Sequence, residues 1–233
     1  MVNYDDLPLF PLHVVLFPDM PLPLHIFEPR YRELVMRCRE ENVPFGVVLI
    51  QDGDEEGDPA TPHLVGTTAR ITQFEEMPDG RMNILVFGEK RFRVTQASHD
   101  KPYLSAKVEP LDEEDDEPGQ VQPAAEAVAD LFKKYLRALF AMTGRSLSAL
   151  QLPQEPAYLS YAVASVLQVP LADKQGLLEI AGTTQRLEHE AEILRAELEV
   201  QDALQEASGV RPEAEGVILP VDTQALGRMS SLN

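Results

Sequence analysis

The sequence predicts an α+β protein: an antiparallel β-barrel with one inserted helix, followed by a C-terminal helical bundle. Three observations support that reading. The first half of the 233-residue chain breaks into short runs of alternating apolar residues separated by turn residues. Beyond residue 123 the apolar period lengthens to that of helices. Between the two halves lies "LDEEDDEPGQVQP", whose residues 111–117 hold six acids and no base. Strands first and helices second imply segregated sub-structures. The expected division is a barrel over 1–111, an acidic linker over 112–123, a bundle over 124–207 and a partly mobile tail over 208–233.

Taken in order, the chain opens with "FPLHVVLFPDMPLPL" (10–24), where prolines are expected to limit regular pairing. The spacing then predicts a helix from Pro29 to about Glu41, because Tyr31, Leu34, Val35 and Cys38 fall at i, i+3, i+4 and i+7. Pro29 suits a first helical turn, where its missing N–H costs nothing, and Glu28 stands at the positive end of the helix. Strands are expected at 44–50, 64–74, 82–88, 91–98 and 103–111, with an acidic loop over 51–62. Met82, Ile84 and Val86 alternate on one face, and so do Leu104, Ala106 and Val108. "PDG" (78–80) makes a hairpin turn between two of these strands.

In the second half, Val128, Leu131, Phe132, Tyr135 and Leu139 form one helical stripe, and Leu159, Val163, Val166 and Leu167 form another. "LADKQGLLEIAG" (171–182) reads as a shorter helix that its "AG" ends. From about Thr184 to Ala207, Leu187, Ala191, Leu194 and Leu198 make a heptad-like seam.

Composition narrows the function. The formal net charge is −19, so attraction to nucleic-acid phosphate or anionic lipid would need a strong local basic patch. Cys38 is the single cysteine, which leaves no intramolecular disulfide or CxxC zinc pair and favours a reducing compartment. The N-terminus is acidic, and no apolar run approaches the ~20 residues needed to span a bilayer. A cytoplasmic protein is expected.

The stretches "LPLFPLHVVLFPDMPLPLHIFEPRYREL", "LVGTTARITQFEEMPDGRMNILVFGEKRFRV", "LADKQGLLEI" and "RLEHEAEILRAEL" occur in that order over roughly residues 7–207. Together they resemble the N-terminal domain of the ATP-dependent Lon proteases. The resemblance implies a PUA-like barrel followed by helices, a role in recognising protein substrates and in self-association, and no catalytic residues or cofactor. No G-x-x-x-x-G-K-[ST] phosphate loop occurs in the 233 residues. The chain therefore looks like a stand-alone substrate-binding domain of that family. The expected partners are unfolded or partly folded polypeptides, and a separate protease or ATPase. A homo-oligomer is a further expectation.

Several residues are candidates for chemistry. His25 and Glu28 could supply metal ligands or an acid–base pair, but no third ligand is evident and the helix start already accounts for Glu28. "HEAEI" places Ile193 where the zinc helix that His189 and Glu190 would begin needs a second histidine. Ser105 and Lys107, two apart on a strand, have no companion motif. Cys38 sits on the apolar helix face and behaves as a small hydrophobe. The basic residues Arg30, Arg32, Arg37, Arg39, Lys90, Arg91 and Arg93 raise an RNA-binding alternative, but acids interleave those on the helix. The site expected instead is a hydrophobic polypeptide-binding surface formed by Phe10, Leu12, Phe17, Met20 and Leu22, some of them left exposed among the prolines. A hydrolase of unrecognised type is the remaining alternative.

Overall fold

Prolines do not keep the N-terminal stretch out of the sheet. The computed structural model describes residues 2–53, 61–114, 119–142, 146–147, 151–208 and 216–217. In it Leu7–Leu12 (β1) and Pro21–Ile26 (β2) are both strands. Pro8 pairs with Ser105, Pro11 with Val48, and Pro21 and Pro23 with Phe87 and Leu85. β2 ends the sheet order, and on such a strand a proline whose nitrogen faces away from the neighbour costs no ladder bond. That accounts for Pro21 and Pro23, and the pairing of all four prolines corrects the expected limit.

Helix α1 (Pro29–Glu40) begins as its sequence predicts, with Pro29 at the first helical position. Glu28 is extended, with φ −68° and ψ 136°, and its carbonyl accepts from the Tyr31 and Arg32 amides at 3.1 and 2.9 Å. Its carboxylate pairs with Arg30 at 2.9 Å and makes no cap. Tyr31, Leu34, Val35 and Cys38 are the buried face.

The remaining strands are β3 (Phe45–Asp52), β4 (Thr61–Glu76), β5 (Met82–Ser98) and β6 (Ser105–Pro110). The two strands expected at 82–88 and 91–98 are one, β5. Register shifts against β4 between Thr67 and Ala69 and between Ile71 and Gln73 let this pair bend without breaking. The sheet order is β2-β5-β4-β3-β1-β6, and β5 also pairs with β6, so five strands form a closed ring. The sheet is mixed, because β1 and β3 run parallel from Leu9↔Gly46 to Leu12↔Leu49. This corrects the expectation of an antiparallel sheet. β2 and α1 lie in the connection between β1 and β3 and supply the long crossover that parallel neighbours require.

Leu7, Leu9, Val48, Phe92, Val94, Ala106 and Val108 pack together as a buried cluster. Glycines make room for Phe92. A Cβ on Gly46 would stand 2.6 Å from Phe92 Cζ, and one on Gly66 would stand 2.4 Å from the Val47 carbonyl oxygen and 2.9 Å from Phe92 Cζ.

The chain divides into two units. The first takes in the sheet, α1 and Ser165–Glu179, and so includes helix α4 (Leu171–Glu179). Within it Gln175 Nε2 donates to the Val65 carbonyl at 3.1 Å, and Arg91 donates to the Leu178 carbonyl at 3.0 Å. The second unit holds α2 (Val121–Met142), α3 (Pro156–Val166) as far as Ala164, and α5 (Thr183–Ser208). Val128, Phe132, Tyr135, Leu159, Val163, Leu187 and Leu194 are among its buried apolar side chains and belong to the predicted helical stripes, of which Leu131, Leu139 and Leu198 are half-buried.

Two residues of the acidic run are hydrogen-bonded within the second unit. The Glu114 amide donates to the Ala181 carbonyl at 3.3 Å, and the Glu113 carboxylate is held by α5. Residues 54–60 of the acidic loop, residues 115–118 of the linker, and the tail from 209 onward apart from Gly216–Val217 lie outside the described residues.

Gly66→Ala is expected to lower stability by about 1–3 kcal/mol, because the added methyl overpacks a backbone carbonyl that has no rotamer to change. Thermal unfolding of the variant beside the parent checks this, and an unchanged midpoint would show that the ring yields at this point.

Candidate functional site

The residues expected to form a hydrophobic recognition surface are largely core. Phe10, Leu12, Phe17 and Met20 are buried, and only Leu22 is half-buried. Phe10 stacks on Tyr31 with ring centroids 4.0 Å apart. The segment carrying Phe17 and Met20 is stitched down by its backbone. The Leu16 carbonyl accepts from Thr67 Oγ1 at 2.6 Å, the Asp19 amide donates to the Gly88 carbonyl at 2.9 Å, and the Gly88 amide donates to the Met20 carbonyl at 3.0 Å. Some of the five were expected to stay exposed; Leu22 keeps partial exposure and the other four are buried. Their apolar surface is used inside the fold. Among the described residues, the large apolar side chains that stand exposed are Phe27, Leu64, Leu171 and Val200.

The candidate catalytic residues do not converge. His25 Nδ1 lies 2.7 Å from Asn83 Oδ1, while Glu28 pairs with Arg30. Ser105 is buried, whereas Lys107 is exposed and pairs with Asp5 at 3.1 Å. Cys38 is buried and its thiol is pushed up to about 12 by that burial, so it stays protonated and unreactive. His189 is exposed and lies 3.6 Å from Glu192, while its neighbour Glu190 is buried. Among the described residues no group of three or more His, Cys, Asp or Glu side chains could hold a metal ion.

Four of the seven basic residues are engaged within the fold. Arg30 pairs with Glu28 at 2.9 Å, Arg37 pairs with Glu41 at 3.2 Å and Asp6 at 3.5 Å and donates to Tyr103, Arg39 lies over the Phe74 ring at 3.9 Å, and Arg91 is buried. Their charges are used inside the fold and do not add to a phosphate-binding face.

A buried polar network in the second unit escaped the sequence reading. The Arg186 guanidinium is fully buried. It donates through Nε to Ser160 Oγ at 2.7 Å, through NH1 to the Ile180 carbonyl at 3.0 Å and through NH2 to Glu113 Oε2 at 3.1 Å, and it lies 4.2 Å above the Tyr161 ring. Ser160 in turn donates to Glu190 Oε1 at 2.6 Å. Thr183 and Tyr161 both donate to Glu113. Burial pushes the Glu190 carboxyl up to about 8, against the pull of Ser160 and Arg186. Its Oε2 has no hydrogen-bond partner. The signal available in the sequence was that Arg186 and Glu190, four apart, each adjoin a residue of the predicted seam, Leu187 and Ala191. Residues so close to the seam are drawn into the interior with it.

The same unit contains a groove of about 580 Å³ beside the first turns of α2 and the middle of α5. Ala124 and Ala127 contribute from α2, and Leu187 and Ala191 from α5, with Glu188 and Glu192 beside them. No catalytic arrangement lies in it. Its chemistry is that of an apolar floor with a charged margin.

Residues 6–196 match a family model described as the ATP-dependent protease La (LON) substrate-binding domain. The chain belongs to that family. It is similar to the Lon protease of Xanthomonas oryzae pv. oryzae, 32% identical over 200 residues that are 84% of this chain and 23% of that protein. It is similar also to the Lon protease of Escherichia coli K12, 27% identical over 201 residues that are 84% of this chain and 25% of that protein. The chain thus spans about a quarter of the length of these curated relatives. Among solved structures it resembles a Lon N-terminal domain protein from Xanthomonas campestris, with a TM-score of 0.60 and 29% identity over 78% of this chain and 95% of that one. The N-terminal domain of the Mycobacterium avium complex Lon protease, at 17% identity, shares the fold with a TM-score of 0.60 over 82% of this chain and 98% of that one.

The raised Glu190 pKa makes stability depend on pH. Because the folded value of about 8 exceeds the ordinary 4.5, the fold favours the protonated form. Its contribution is complete below pH 4.5 and is lost as pH rises towards 8. Glu190→Gln keeps the acceptor for Ser160 and removes the titration. It is expected to match the parent near pH 4.5 and to be the more stable protein above pH 8, because glutamine has no ionised form to desolvate. Urea unfolding across that range checks it, and parallel profiles for the two proteins would refute it.

Proposed function

We propose that this chain is a non-catalytic module that recognises unfolded or partly folded polypeptides. The observation that supports the reading most is the match of residues 6–196 to a substrate-binding domain family. A second support is the scatter of nucleophiles and bases among the described residues. Ser105 is buried away from the solvent that exposed Lys107 meets, and Cys38 is held neutral. The closed ring of strands fits the PUA-like element that the family resemblance implies. A reducing compartment such as the cytoplasm suits a protein whose single cysteine is a buried thiol. Delivery of captured chains to a separate protease or ATPase belongs to the same reading.

The test has two parts. The purified full chain is expected to hold chemically denatured casein in solution when it is diluted from urea, and to hydrolyse neither ATP nor casein. Turnover that Ser105→Ala abolishes would place the chain among hydrolases. Failure to suppress casein aggregation at a several-fold molar excess would remove the recognition reading.

A further inference from the structure

The groove beside α2 and α5 has the chemistry of a selective surface. Its volume of about 580 Å³ lies within the range of about 300–1,000 Å³ in which proteins enclose ligands or side chains. Ala124, Ala127 and Ala191 are small, so an incoming segment can bring its own side chains close to the helix backbones. Glu188 and Glu192 stand one turn apart on α5, where like charges repel. Among the described residues Glu188 has no ion pair, and Glu192 has only exposed His189 at 3.6 Å. Arg195 is the one basic residue in the lining. In sequence the groove's Gly119 directly follows the acidic run of residues 112–117 and Pro118.

We propose that this groove docks a short polypeptide segment whose apolar residues are flanked by lysine or arginine. The inference rests on the polypeptide-recognition reading above and deepens it by stating the chemistry of the segment. Charge selects this occupant over the others. A second copy of the chain brings another −19. The chain's own residues 209–233 are apolar at "VILPV" but hold three acids and two bases. Both would approach an acidic margin with charge of the same sign. A cationic segment relieves the repulsion between Glu188 and Glu192, fills the alanine floor with its apolar residues, and is steered inward by the field of the whole protein.

The experiment uses the full chain and three short fluorescent peptides with one apolar core, flanked by lysines, glutamines or glutamates. Binding is followed by anisotropy at low and high ionic strength. The lysine peptide is expected to bind about tenfold or more tightly than the glutamate peptide at low salt, with the gap closing as salt screens the margin. Glu188→Lys/Glu192→Lys is expected to reverse the order. Ala127→Trp, which fills the floor from an exposed helix position, is expected to weaken all three peptides; if that variant fails to fold, Glu188→Gln/Glu192→Gln is expected to erase the charge preference and carries the test. Equal affinity for the three peptides, or an order that the charge reversal leaves unchanged, overturns the proposal. So does competition by a synthetic peptide of residues 209–233, which would assign the groove to the chain's own tail. Self-association that the charge reversal abolishes would assign it to a second copy and overturns the proposal likewise. If denatured casein is held by the parent and by the reversed variant alike, the groove assignment fails while the recognition reading stands. If casein is not held at all, the recognition reading fails with it.

Discussion

One strand governs the first unit. β5 runs for 17 residues and pairs with β2, β4 and β6 along its length, through 82–87, 82–93 and 92–98. A straight strand cannot serve three partners in a closed ring, so β5 and its neighbours bend at register shifts. Where the ring closes, Phe92 fills its interior, and burying such a ring contributes about 1.5–3 kcal/mol. The same closure sets a steric limit. Gly46 and Gly66 flank the Phe92 ring so closely that neither position has room for a methyl group. Gly88, where the two predicted strands meet, faces the Phe17 carbonyl at a distance that would put a Cβ 2.3 Å from it. The burial of Phe17 and the tethering of Asp19 and Met20 to Gly88 follow from that approach. The N-terminal segment belongs to the core because β5 passes beneath it.

The second unit solves a different problem, which is how to bury a guanidinium. Arg186 has a partner for each of its nitrogens and a tyrosine ring beneath it, which is the condition under which a buried charge is tolerated. The Glu113 side chain is about a third exposed, so water screens this pair more than a fully buried one, and Ser160 and the Ile180 carbonyl carry much of the burden of holding the guanidinium. Glu190 bears the strain of the arrangement. It is close enough to Ser160 to accept a hydrogen bond, yet buried deeply enough that its charged form is disfavoured near neutral pH.

Much of this was legible in the chain. The helix face of Tyr31, Leu34, Val35 and Cys38, the proline at its start and the stripes through Val128 and Leu187 are local patterns, and local patterns survive into the structure because one amphipathic element needs one buried side. What could not be read depends on partners distant in sequence. The parallel pairing of β1 and β3 was implicit in the intervening α1, but prolines 8, 11, 21 and 23 obscured the strands on which it depends. Gly88, with Lys90 close behind it, looked like a strand break because nothing nearby announces that Phe17, some seventy residues earlier, needs that close approach. Glu113 looked like one more solvated acid because its partner Arg186 lies 73 positions away. The burial of the expected recognition residues was hidden for a related reason. Phe10, Phe17 and Met20 are apolar among prolines whether they line a binding loop or seal a core, and only the hydrogen bonds of the neighbouring backbone distinguish the two cases.

That burial bears on how the proposed recognition would be divided from stability. Where aromatic and sulfur-containing side chains are sealed in the core, a binding surface has to be assembled from residues whose burial the fold does not need. Small residues on exposed helix turns meet that condition, since an alanine in a groove adds little to the core and leaves space above it. Acidic side chains beside them meet it too, because exposed carboxylates contribute little to stability yet set the sign of the local field over roughly a Debye length. On the proposed reading, such a surface changes its selectivity through Glu188 and Glu192 without touching Phe92 or Arg186. The core, in which each glycine and each guanidinium nitrogen is committed, has no such freedom.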